Sequence, residues 1–283
     1  VLGSILLAGG HDVTGVARSD SSLTAIRRRG ITPREADVTT PETIDALPDA
    51  DWVIVAVSSG GGDAAAAQAV FQEGLATVID SYADRGDPPD RIIYTSSSSV
   101  YGDRGGRWVD ETDAPDPQTS KTTILARAEE VAVEQSGVSG IDGTVCRFAG
   151  LYGPDRYRLD RYLDETVTTG YLNLVHRVDA AGAIAHLLRA GRGRGEVINI
   201  VDDAPTDRYH LAFTLAQMAG VRPPDRRLLA DRLADPSMSE AGRRRLAAQK
   251  RVSNAKLRSL GYRLRYPTFR SGYATPIAQR LRA

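Results

Sequence analysis

Hydroxyl side chains crowd one point of the chain. The apolar run Ile92-Ile93-Tyr94 leads into Thr95-Ser96-Ser97-Ser98-Ser99, and Val100-Tyr101-Gly102 follow. Hydroxyls at the carboxyl end of a central strand are well placed to polarise a carbonyl group. Three other spots put charge or small residues where a strand is expected to end. Arg18-Ser19 follows Val13 to Ala17, Asp37-Val38 ends the next strand, and Val53 to Val57 opens into Ser58-Ser59-Gly60-Gly61-Gly62. Each has a functional and a plain reading. Arg18 either neutralises a phosphate or stands in water. Asp37 either accepts from an adenine amino group or caps the helix that Thr39-Thr40-Pro41 introduce. Val57, Ser58 and Ser59 either let a ligand approach the backbone or form a flexible loop.

More titratable groups lie downstream. With an ordinary pKa of ~10.4, Lys121 needs desolvation to exchange protons at neutral pH. Tyr101 and Tyr152 are phenols near the same strand ends, able to donate a proton or to pack with a wet hydroxyl. His176 either touches a substrate or belongs to a cleft wall, and Asp179 is expected to cap a helix starting at Ala180. The histidines at 11, 176, 186 and 210 show no metal-ligand spacing, so no metal is expected.

The elements that must position these groups are short apolar strands alternating with longer helical patterns. Strands are expected at Val13 to Ala17, Trp52 to Val57, Arg91 to Thr95, Gly143 to Phe148 and Glu196 to Ile200. Helices are expected at Ser22 to Arg29, Ala64 to Tyr82, Lys121 to Gln135 and Ala180 to Arg189, with Asp63 as one N-cap. This order predicts an α/β fold, a Rossmann-like doubly wound parallel sheet. The chain is expected to begin inside the first helix, ended by Gly9-Gly10, with the first strand and Gly-rich loop missing. Gly3 then reads as a helix-packing glycine. The alternative makes Gly3 the last glycine of the phosphate-binding fingerprint. Residues 1–154 form the expected dinucleotide-binding domain, to which 172–202 return. Residues 155–171 and 203–283 form a smaller, strand-poor, Arg-rich substrate lobe with helices at Thr206 to Ala219, near Ser239 to Gln249 and near Tyr273.

Composition narrows the functional classes. Among 283 residues, 36 Lys and Arg balance 36 Asp and Glu, leaving no basic field for nucleic acid. Cys146 is alone, so no internal disulfide forms. The apolar runs fall short of the ~18 residues of a membrane helix, and no secretory leader is visible. A cytoplasmic protein acting on a small molecule, without membrane or nucleic-acid partners, is expected. In a dinucleotide fold, an arginine at position 18 favours NADP over NAD, with NAD still open.

The chain resembles the extended short-chain dehydrogenase/reductase family, the NAD-dependent epimerase/dehydratase group. The motifs are Gly10-His11-Asp12-Val13, Ser97 to Gly102, Tyr152-Gly153-Pro154, His176 to Asp179 and Leu260-Gly261-Tyr262. Val100 to Glu111 and Arg251-Val252-Ser253-Asn254 point to its atypical, YeeZ-like branch. The resemblance implies a catalytic serine at Ser97, and a tyrosine followed four residues later by a lysine. Those two positions carry Lys121 and Leu125, so the usual acid/base pair is absent. Lys121 and Tyr101 become substitute catalytic candidates, with Tyr152 and His176 facing substrate. Arg18, Ser19, Asp37, Val38, Val57, Ser58 and Ser59 become the cofactor-binding set. The implied function is an NAD(P)-dependent oxidoreductase or epimerase acting on a small or sugar-nucleotide-like substrate. The alternative is a non-catalytic NADP-binding sensor. The resemblance also implies a homodimer paired through helices such as Ala64 to Tyr82 and Lys121 to Gln135.

Overall fold

A computed structural model describes residues 1–280. The chain divides into two compact units. The first comprises 1–97, 120–147 and 181–198, and the second comprises 98–119, 148–180 and 199–283.

The first unit is built on a four-stranded sheet in the order Val197–Ile200, Asp142–Phe148, Arg91–Ser97, Trp52–Val55. Trp52–Val55 and Arg91–Ser97 run parallel, with Val55 opposite Tyr94. Ile92, Ile93 and Tyr94 are wholly buried, as expected of a strand covered on both faces. Thr14–Ala17 and Thr32–Glu35 form a separate parallel pair. At the start of the central strand Arg91, 1% exposed, donates to Thr144 Oγ1 and to the carbonyls of Leu187 and Gly193. The buried guanidinium is thereby paired, and it ties the end of the helix Arg177–Arg189 and the turn after it to the sheet.

The helical stretches that cover the sheet are interrupted. Ala64–Gln68, capped by Asp63 through the Ala66 amide at 2.9 Å, passes through the wider turn Ala69–Glu73 into Gly74–Ala83. Ser120–Glu130 likewise passes into the wide turn Val131–Gln135. Gly143 has no room for a Cβ because the Ala132 carbonyl of that second turn lies against it. The first helix, Leu2–Ala8, ends at Gly9-Gly10, where Gly10 takes φ 85° and the His11 amide returns to the Leu6 carbonyl. A Cβ on Gly3 would meet Ile31 Cδ1 at 2.5 Å, so this glycine is a packing position.

The second unit contains more strand than its sequence suggests, in pieces of two or three residues. Gly150–Tyr152 pairs with Leu174–His176, Thr166–Thr168 with Asp225–Arg227, and Tyr171–Leu172 with Thr206–Asp207. Segments this short carry no readable periodicity. Residues 98–119, which sequence alone groups with the first domain, pack in this unit because Trp108–Val109 pairs with Arg251–Val252. Helices Arg208–Ala219 and Phe269–Arg280 enclose a core of Leu211, Leu215, Phe269, Ile277 and the stacked rings of Tyr152 and Tyr273, 5.0 Å apart. Gly272 gives the Tyr152 hydroxyl its space.

Asp179 requires a correction. The helix starts at Arg177, not Ala180, so Asp179 lies inside its first turn. Its carboxylate accepts from Tyr262 Oη at 3.0 Å and from the amides of Arg265 and Tyr266 at 2.7 and 2.8 Å. It is fully buried and ties down the chain after Gly261.

Candidate functional site

In the first unit Arg18, just past the strand Thr14–Ala17, pairs with Asp37, just past the strand Thr32–Glu35. The guanidinium donates from Nη1 to Asp37 Oδ2 at 3.1 Å, and its side chain stays 59% exposed. Asp37 is no helix cap: Thr40 holds that position for Pro41–Asp45. Its Oδ1 instead accepts from the amide and hydroxyl of Thr39, at 3.0 and 2.8 Å. Those bonds, chiefly the one from the Thr39 amide, and Arg18 hold the carboxyl below its usual range. Ser19 caps the helix Asp20–Arg27 through the Ser22 amide, with the hydroxyls of Ser21 and Ser22 beside it. An exposed guanidinium next to a helix start ringed by hydroxyls is chemistry suited to a phosphate group. Val38 packs against Gly74, where a Cβ would lie 2.6 Å from Val38 Cγ2. The strand Trp52–Val55 stops two residues before Val57. In the following loop, the Ser58 hydroxyl accepts from the Gly60 amide, and Gly60 and Gly61 take positive φ.

Ser97 is the last residue of the central strand and is half-buried. What fixes this strand end is a network that sequence reasoning passes over. Ser96 donates to Glu129 Oε1 at 2.5 Å, and Arg147 grips both Glu129 oxygens, Nε to Oε1 at 3.1 Å and Nη2 to Oε2 at 2.6 Å. Both partners of the ion pair are about 5% exposed. Lys121, on the first turn of Ser120–Glu130, is exposed, with Nζ 5.7 Å from the Phe71 ring centre. Leu125, one turn further along the same helix, is buried.

In the second unit Tyr101 is fully buried, and its hydroxyl donates to Asn199 Oδ1 at 3.0 Å. Asn199 in turn donates to Ser253 O, and its amide donates to Glu111 Oε1. This phenol braces the interior and is closed off from any ligand. The Tyr152 ring is also buried, and its hydroxyl reaches Thr268 O at 3.4 Å. His176 is 1% exposed, with its ring 3.9 Å from that of Tyr266. Its Nδ1 accepts from the Val178 amide, leaving the proton on Nε2, which has no partner. Burial pushes its pKa down, so it is neutral.

Two further buried ionisable groups went unnoticed in the sequence. Lys250, 7% exposed, donates to the Gly102 carbonyl at 2.9 Å, and burial brings its pKa down to about 8. Asp202, 2% exposed, is pushed up to about 8 by burial. Neither position has a distinguishing sequence pattern, since a Lys beside an Arg and an Asp beside an Asp read as solvated.

Against known families, residues 1–190 match the model described as NAD(P)H-binding. Protein YeeZ of Escherichia coli K12 is 33% identical over 272 residues, 93% of this chain and 90% of that protein. The chain belongs to the NAD(P)H-binding family. Within it, the chain is an atypical, YeeZ-like member of the extended short-chain dehydrogenase/reductase type. A putative NAD-dependent epimerase/dehydratase from Methylobacillus flagellatus is 26% identical with a TM-score of 0.73, covering 100% of this chain and 94% of its own. UDP-glucose 4-epimerase of Thermotoga maritima, 17% identical with a TM-score of 0.80 over 100% of this chain and 96% of its own, shares the fold. Among the described residues, no helix is long and apolar enough to cross a membrane.

Proposed function

We propose that this chain is an NADP-dependent oxidoreductase or epimerase acting on a small, carbonyl-forming substrate, with a sugar-nucleotide-like compound as the expected class. The carrying observation is the Arg18 guanidinium, exposed at a strand end beside the helix start at Ser19. A 2′-phosphate fits this chemistry better than a free ribose hydroxyl, which an acidic residue would accept from. Asp37 and Val38 would flank the adenine, and Val57, Ser58 and Ser59 would approach the dinucleotide by backbone and hydroxyl. Bound there, the cofactor supplies two-electron redox chemistry. The chain's own residues do the rest. Ser97 donates a hydrogen bond to the substrate oxygen, held in place by the Ser96–Glu129–Arg147 network. Lys121, exposed on the first turn of its helix, donates from its ammonium group at the position where the resemblance expects a tyrosine. A second copy of the chain pairs along the helical stretches beginning at Ala64 and Ser120.

A second reading keeps the cofactor and drops the chemistry. Buried Leu125 and buried Tyr101 favour it, because the resemblance implies a lysine at position 125 and a phenol at position 121. NADPH oxidation with a panel of small aldehydes, ketones and keto-sugars separates the two. Turnover that falls in Ser97→Ala supports the enzyme, and tight NADPH binding without turnover supports the sensor.

A further inference from the structure

The second unit fixes one arginine in an unusual setting. Arg251–Val252 runs parallel to Trp108–Val109 with Arg251 opposite Trp108, so both side chains leave the pair on the same face. The guanidinium carbon of Arg251 lies 5.3 Å from the Trp108 ring centre and 5.2 Å from that of Tyr171, a cation resting over two aromatic rings. Its Nε donates to the Gly106 carbonyl at 2.8 Å. Gly106 also makes room for the second ring, since a Cβ there would lie 2.8 Å from Tyr171 Cε2. Tyr171 is anchored through its amide to Gln249 Oε1 at 2.6 Å, and the Val252 amide donates to Asn173 Oδ1 at 2.7 Å. Among the described residues, Nη1 and Nη2 have no acceptor and no carboxylate pairs with this arginine. A half-buried, oriented cation without a counter-charge attracts an anion.

The flanking rings select the shape of that anion. They cover faces of the guanidinium and leave its Nη edge, so hydrogen bonds to a ligand form in the guanidinium plane. A carboxylate offers two coplanar oxygens to this edge, whereas a tetrahedral phosphate carries oxygens out of the plane toward the rings. A ligand that is flat beside its carboxylate keeps clear of both rings. We propose that Arg251, flanked by Trp108 and Tyr171, binds the carboxylate of a small, flat organic acid. The site stands independently of the dinucleotide reading, since all its residues belong to the second unit.

Trp52 and Trp108 are the two tryptophans of the chain, so in a Trp52→Phe background fluorescence reports on this site. Benzoate titrated into the full chain without cofactor is expected to give a saturable change, with Kd on the order of 1 mM. Benzamide keeps the shape without the charge, and phenyl phosphate keeps a charge without the flat anion. Each is expected to bind about tenfold more weakly. Arg251→Lys retains the charge but loses the planar fork, and is expected to weaken benzoate binding about tenfold. Should that variant fail to fold, the preference of the parent for benzoate over both comparators decides. No saturable change with benzoate, benzamide or phenyl phosphate binding as tightly, or undiminished affinity in Arg251→Lys would overturn the proposal.

Discussion

Arg18 and Asp37 are joined at 3.1 Å across the ends of two parallel strands, so the guanidinium is restrained before any ligand arrives. A pair this exposed contributes only about 0–1 kcal/mol, and a phosphate dianion can replace the carboxylate. Arg18→Ala is therefore expected to weaken NADPH binding about tenfold while leaving NADH within about twofold, measured by calorimetry. Equal losses for both would remove Arg18 from the choice of cofactor.

Turnover should depend on Ser97 and Lys121 separately. Loss of one preorganised donor to a developing oxyanion typically costs about 100-fold in kcat. Ser97→Ala is expected to show a loss of this order, and Lys121→Ala a smaller one of about tenfold. Unchanged rates in both variants would place the chemistry elsewhere.

The Glu129–Arg147 pair is the most demanding contact in the first unit. Removing one member strands the other charge in the core, so Glu129→Leu is expected to cost about 3–5 kcal/mol in urea unfolding. Glu129→Leu with Arg147→Leu should recover most of that. A single-variant loss below about 1 kcal/mol would mean water reaches the pair.

Asp202 makes stability pH-dependent in a defined direction. Its folded pKa of about 8 lies above the ordinary 3.8, so the folded state holds the proton more tightly. The associated stability is complete below about pH 4 and is lost as pH rises through 8. Asp202→Asn should be more stable than the parent in urea unfolding at pH 8, by about a few kcal/mol at most, with the gap closing at pH 4. A constant gap would show that Asp202 does not titrate there.

The sheet was legible in the sequence because strands such as Trp52–Val55 and Arg91–Ser97 carry short apolar runs. Ile92-Ile93-Tyr94 could not sit on a surface, and Asp63 before four alanines could only start a helix. What stayed hidden depends on partners far along the chain. Asp179 looked like a cap because its three donors lie beyond Gly261. Tyr101 looked available because Asn199, which closes it off, arrives only with a later strand. Glu129 on its helix and Arg147 on its strand carried no signal of pairing, since such charges are ordinarily solvated. The wide turns at Ala69–Glu73 and Val131–Gln135 change no apolar pattern, so periodicity alone reads through them.

The most direct measurement is equilibrium binding of NADPH and NADH to the full-length protein at fixed ionic strength. Saturable binding of both, with NADPH tighter by about tenfold, is the expected result. Equal affinity or tighter NADH would contradict selection by Arg18, and binding of neither would contradict the dinucleotide site as a whole.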